Sequence, residues 1–97
     1  MTRLFHITTR AAWDAARAAG DYRAASLATE GFIHLSTETQ WPRTLQRFFA
    51  GQRDLVLLAI DPAALRAAVR FEAADGEPFP HLYGPLNSDA VVEVVAL

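Results

Sequence analysis

Six consecutive apolar residues, Leu55–Ile60 (LVLLAI), stand near the middle of a chain of only 97. With no polar residue in alternation, the run reads as a central strand covered on both faces. The rest of the chain must then supply apolar cover for two sides of one strand. It has the material: 52% of residues are hydrophobic, and nothing resembles a charged or low-complexity disordered tract. This length matches one domain, 1–97, and a chain so short must commit most of its apolar side chains to the core.

Leu4 to Thr8 alternates as a strand, with Phe5 and Ile7 on one side and His6 and Thr8 on the other. Thr9 is placed to cap a helix from Arg10 to about Ala19, ended by Gly20; Trp13 and Ala16 form its buried stripe. Asp21 to Thr29 shows no clear period and reads as a connecting loop with one turn of helix at most. A second strand, Phe32 to Ser36, puts Ile33 and Leu35 on one face and Phe32, His34 and Ser36 on the other. The next helix starts either at Thr37, with Gln40 completing a capping box, or at Thr39. Pro42 falls in its first turn, Trp41, Leu45, Phe48 and Phe49 form its apolar face, and Gly51 closes it. Asp61-Pro62 signals a short helix through about Ala68 with Leu65 inward. Val69 to Ala73 then reads as a strand and Asp75-Gly76 as a turn. Phe79–Pro85 is too rich in proline for a central strand, so it is expected as an edge strand or an ordered loop. Asn87–Asp89 turns the chain into a last strand, Val91 to Val95. Five or so strands and three helices without regular βαβ alternation predict a mixed α+β fold.

Composition removes several functions. The net charge is −2, so no bulk positive field draws nucleic acid. Every basic residue is Arg, which fits either recognition of planar anions or plain compositional bias. Without cysteine there are no disulfides, no thiolate catalysis and no Cys-ligated zinc. No signal-like run opens the chain, and no apolar stretch nears the ~20 residues that span a bilayer, so the expected location is the cytoplasm. Phosphate loops, dinucleotide-binding glycines, nucleophile elbows and HExxH are all missing.

The candidate chemistry lies in three histidines. His6 with Thr8, and His34 with Ser36, repeat one His-x-Ser/Thr design on two strands; if these are neighbours, the four groups make one polar patch. The plain alternative is that half-buried strands turn polar residues to water. His81 lies in a proline-stiffened segment with Tyr83 on its side, and either serves a site or is a buried, bonded histidine. Gly84 either admits a close backbone approach or serves a turn. Glu72 is the favoured carboxylate, against ordinary surface exposure. Gln40 reads as a cap residue and, with Thr8, Ser36, Tyr83 and Gly84, as a candidate ligand contact. Three histidines can hold zinc, but their spacing is not that of a metal motif, so no metal is assigned.

The strings LFHITT, EGFIHLST, the Gln40–Gly51 helix, DLVLLAID and FPHLYGPL resemble a group of small bacterial proteins known as domain of unknown function 952. The likeness covers nearly the whole chain and implies no activity. More distantly, a first strand with His, a helix and a strand reading His34-Leu35-Ser36 resemble the ADP-ribosyltransferase fold, especially its RNA 2′-phosphotransferase branch. That resemblance implies a split, mostly antiparallel sheet gripping NAD or an ADP-ribose-like nucleotide. It matches His6 to the first-strand His, and a later-strand Glu to either Glu72 or Glu93. The acidic chain lacks the basic domain and several of the arginines of the RNA branch, so a small nucleotide-like ligand is expected rather than RNA.

The leading expectation is an enzyme in which NAD is substrate. Glu72 would stabilise a ribose oxocarbenium ion, His6 and His34 would hold hydroxyls or phosphate, and His81 or Tyr83 would serve as acid–base or stacking group. Two rivals remain: a binding module of the same fold without turnover, and an interaction protein whose histidines line a wet sheet face.

Overall fold

Each side chain that punctuates the sequence does a nameable job in the computed structural model, which describes residues 2–97. β1 (Leu4–Thr9) runs directly into α1 (Arg10–Ala19). Thr9 Oγ1 accepts from the Ala12 N–H at 3.1 Å, and Gly20 ends the helix in the left-handed region, φ 97°. Trp13 and Ala16 are its buried residues, as the stripe predicts. The periodless stretch holds β2 (Asp21–Tyr22) and the five-residue α2 (Ala25–Thr29). Then follow β3 (Ile33–His34), α3 (Trp41–Phe48), β4 (Leu55–Ile60), β5 (Ala68–Ala74), β6 (Glu77–Tyr83), β7 (Leu86–Asn87) and β8 (Val91–Ala96).

The class is α+β with three helices, as expected, and every strand pairing among the described residues is antiparallel. Two three-stranded sheets, β1-β4-β8 and β3-β6-β5, are accompanied by the small β2-β7 pair. β4 is buried at all six positions. One of its faces, with Val56, Leu58 and Ile60, joins Trp13, Ile33, Leu35 and Leu82 in the main core. The other, with Leu55, Leu57 and Ala59, packs with Phe5 and Ile7 under Trp41, Leu45 and Phe49 of α3.

The two sheets meet at a seam. Leu35 N–H bonds back to Pro80 O at 3.0 Å, while the next residue, Ser36, exchanges two 2.8 Å bonds with Phe5. β3 is therefore only two residues long, because the chain leaves one sheet for the other at that step.

Two expectations are corrected here. The helix expected from Pro62 to about Ala68 is a single tight turn, Pro62–Ala64. Asn87 stops it, accepting from Arg66 N–H (3.1 Å) and donating to Ala64 O (2.9 Å), the backbone groups a longer helix would use. β6 is the central strand of its sheet despite Pro78 and Pro80. Both prolines turn the same way, away from β5, at the end of β6 where β3 has already left. Their carbonyls are met by Leu35 N–H and by Gln40 Nε2 (2.8 Å), so no ladder needs the missing N–H groups. Asp75 and Gly76, at φ 52° and 83°, close the β5–β6 hairpin as the expected turn.

No helix among the described residues is long and apolar enough to cross a membrane.

Candidate functional site

Register decides which polar groups can meet. Ser36 pairs with Phe5, so its side chain shares the Phe5 and Ile7 side of β1, and His6 and Thr8 lie on the opposite side. The expected patch of His6, Thr8, His34 and Ser36 is therefore not one strand face, although His6, His34 and Ser36 line one cleft. The β3-β6-β5 sheet instead aligns Phe32, His34 and Ser36 beside Phe79, His81 and Tyr83, next to Arg70 and Glu72. Between this face, α3 and β1 lies a cleft of about 330 Å³. His6, His34 and His81 all line it, with Ser36 and Thr44 as hydroxyl groups and Phe48, Phe49 and Phe79 among its apolar walls.

His81 is the best-held group. It is 5% exposed, and its ring stacks on Phe32 with centroids 4.1 Å apart at 15°. Nδ1–H donates to Glu72 Oε1 at 2.9 Å, and the same oxygen accepts from Tyr83 Oη–H at 2.5 Å. The Tyr83 bond, then the His81 bond, hold the Glu72 carboxyl below its usual range, and Glu72 in turn pushes the Tyr83 phenol up. With Nδ1 taken, His81 Nε2 is the buried side-chain polar atom left without a partner among the described residues. Buried polar atoms are nearly always bonded, so this unpaired nitrogen, on a ring that lines the cleft, is an exception within the site.

His34 pairs with His81 across the strands, its ring centroid 5.4 Å away and edge-on. Its Nε2 lies 3.1 Å from Glu30 Oε2, and its side chain is 52% exposed, so it belongs to the open end of the site. Phe32 stands edge-on to it at 4.9 Å, linking the two histidines.

His6 fills the seam where β1 and β3 part. Nδ1 lies 2.7 Å from the His34 carbonyl, which can only accept, so Nδ1 carries the proton. Burial drives its pKa down to about 4, against the opposing pull of that carbonyl bond, so the ring is neutral near pH 7. Nε2 must then accept from the Tyr22 hydroxyl at 3.0 Å. Tyr22 Oη also bonds Thr8 Oγ1, at 3.0 Å. Burial raises the Tyr22 phenol, and the Thr8 bond opposes it. Both nitrogens of His6 are thus spoken for within the chain. No group of three metal-ligating side chains exists among the described residues.

The other expected site residues divide clearly. Ser36 lines the cleft with Oγ 3.4 Å from Thr44 Oγ1. Glu72 and Tyr83 act on the cleft through His81 and do not line it. Thr8 is buried behind the seam. Gln40 is buried too, and its amide bonds to Thr37 N–H, Glu77 and Pro78 O, so it clamps α3 to the hairpin instead of meeting a ligand. Gly84 does allow a close approach, but to the chain itself: a Cβ there would lie 2.7 Å from that of Ala67. Glu93 is exposed and bonded to Arg3. Phe48, expected on the buried face of α3, is 57% exposed beside the cleft.

Sequence reasoning missed Tyr22, Glu30 and Thr44. Glu30 precedes His34 by four residues, a spacing that the intervening turn at Gly31 makes effective. Tyr22 lies in the segment without a period, and Thr44 on a helix face read only for its apolar residues.

No curated protein matches the chain. Protein CC0527 from Caulobacter crescentus, a structural-genomics target, is similar in its crystal and solution structures. Its crystal structure is 41% identical with a TM-score of 0.91, covering 99% of this chain and 86% of that one. Its solution structure gives 41% and 0.80, covering 100% and 85%. The family model described as "Protein of unknown function (DUF952)" matches residues 7–94, and the chain belongs to that family.

Proposed function

We propose that the cleft is a catalytic site for a small organic molecule, with His81 Nε2 as the group that exchanges a proton with the substrate. The observation that carries this is the orphan nitrogen, buried on a ring that Glu72 and Phe32 hold in place. A neutral imidazole protonated at Nδ1 presents a lone pair at Nε2, the form a general base requires. A carboxylate behind the ring fixes that tautomer and steadies the imidazolium formed on proton transfer.

NAD, or a compound bearing ADP-ribose, is the substrate class we propose. His6 on the first strand and the His34-Leu35-Ser36 string on the wall support it by their resemblance to ADP-ribosyltransferases. The cleft volume lies at the small end of ligand pockets, which suits one ring with its sugar more than a whole dinucleotide. In hydrolysis of NAD, the oxygen of water bonds to the ribose C1′ as the C–N bond breaks. The electron pair leaves on the nicotinamide nitrogen, and the proton of water goes to His81 Nε2. Glu72 serves His81 in this scheme and does not face the oxocarbenium ion, since it lies behind the ring.

Incubation with NAD should release free nicotinamide, measurable by chromatography. His81→Gln should cut that rate roughly 10²–10⁴-fold, the usual share of general acid–base catalysis. Its melting temperature should still rise with NAD, since a ligand of the native state stabilises it. Tyr83→Phe should cost less, because Glu72 keeps its bond to His81. Binding without release would favour the non-catalytic module, and neither binding nor release would remove the substrate class.

A further inference from the structure

Two hydroxyl groups in the cleft are short of partners. Ser36 lines it from the bridge to β1, and Thr44 lines it from α3. Ser36 Oγ and Thr44 Oγ1 lie 3.4 Å apart, and neither makes another hydrogen bond among the described residues. That is long for a bond between hydroxyls, whose usual length is about 2.7–2.8 Å. Each hydroxyl carries a donor and two acceptor sites, so one long mutual bond leaves most of that capacity unused.

The backbone holds the pair in place. Ser36 is 6% exposed, and its two 2.8 Å bonds with Phe5 fix where its side chain stands. A helical threonine commonly bonds back to the carbonyl four residues earlier, as Thr29 does to Ala25 O at 3.3 Å. Thr44 turns its hydroxyl to Ser36 instead. Phe48 stands one turn further along the same side of α3, so the hydroxyl pair lies beside an aromatic wall.

Charge narrows what fits there. Asp75 is the one carboxylate on the lining, 3.5 Å from Arg47, and no Arg lines the cleft. A carboxylate or phosphate drawn in to the hydroxyls would give up water without meeting a cation, which is costly. A primary carboxamide is neutral and sets an acceptor beside a donor. Its C=O accepts from one hydroxyl while its N–H donates to the other.

We infer that Ser36 and Thr44 select a neutral carboxamide on the ligand, with Thr44 as a specificity-determining residue. With NAD as substrate, the reading on which this depends, the group is the carboxamide of the nicotinamide ring. The ring then lies among Phe48, Phe49 and Phe79, and the phosphates stay outside the cleft.

Release of the base near pH 7 should be compared for NAD and for its analogue with a carboxylate in place of the carboxamide. NAD should be preferred in kcat/KM by roughly tenfold or more, the scale of one or two hydrogen bonds lost in a buried site. Thr44→Val keeps the shape without the hydroxyl, and should bring the two compounds within about threefold by lowering the NAD value. Ser36→Ala should act in the same direction. Thr44→Ser should restore the preference, a rescue that a purely structural threonine would not show. Melting temperatures with free nicotinamide or nicotinate need no turnover: nicotinamide should raise them more, and Thr44→Val should erase the difference. Equal release from both dinucleotides, or a preference that survives Thr44→Val, would overturn the selection and leave NAD as a substrate. No release, with a nicotinamide preference that Thr44→Val abolishes, would keep the selection and remove the NAD reaction. No release and no shift by either base would remove both.

Discussion

Acid should weaken this fold through His6 before any carboxylate is protonated. The ring is neutral in the folded chain, its pKa driven by burial from 6.5 to about 4. In the unfolded chain it takes up a proton near 6.5. Between those values the unfolded state binds the extra proton, so stability rises with pH across the window and is lost on acidification. One proton corresponds to a slope of roughly 1.4 kcal/mol per pH unit, and about two and a half units give about 3 kcal/mol. That is a large part of the ~5–15 kcal/mol that holds a small domain together. Glu72, Glu77 and Asp89 have pKa values held below the ordinary 4.5, 4.5 and 3.8, so their contributions fall away only at lower pH. Urea titrations at intervals from pH 7.5 to 5 therefore stay above the range of those carboxylates. The midpoint should fall steadily below pH 6.5 with an unchanged m-value. His6→Asn, which keeps a donor near the His34 carbonyl but does not titrate, should remove that His6 share of the slope. A flat wild-type profile, or the same slope in His6→Asn, would refute both the neutral tautomer and the seam built on it.

Two further substitutions separate structural from ligand roles. Gln40→Ala deletes three buried or half-buried bonds, at roughly 1 kcal/mol each, and should lower stability by about 3 kcal/mol. A loss below ~1 kcal/mol in denaturant would return Gln40 to the list of ligand contacts. Gly84→Ala drives a Cβ to 2.7 Å from that of Ala67 and should cost about 1–3 kcal/mol. Ala67→Gly in the same chain should recover part of that loss, and simple additivity between the two would show that the close approach is not the cause.

Much of the fold was legible because local chemistry and tertiary packing agree. The Thr9 cap, the Gly20 stop, the doubly buried Leu55–Ile60 strand and the Asp75-Gly76 turn each rest on a few adjacent residues. The failures have a common form: a distant side chain took over backbone groups that local rules assign elsewhere. Asn87 cut short the turn at Pro62, and Gln40 with Leu35 satisfied the strand that its prolines argued against. Neither partner can be inferred from the segment it changes.

The same limit explains what was and was not visible of the site. That three histidines gather could be suspected from two matching strands and one stiff segment, and all three do line the cleft. Their inequality could not, because it depends on a single cross-sheet pair. Phe5 opposite Ser36 sends His34 to the cleft wall and His6 back into the seam, where both its nitrogens find partners. Shifting that pair by one residue would exchange the two faces and give His6 the open position. His81 owes its free nitrogen to the same long-range logic, since Glu72 reaches it only through the β5–β6 hairpin register. Chemical character was thus written into the residue types, while the division of labour among three identical side chains was set by strand register.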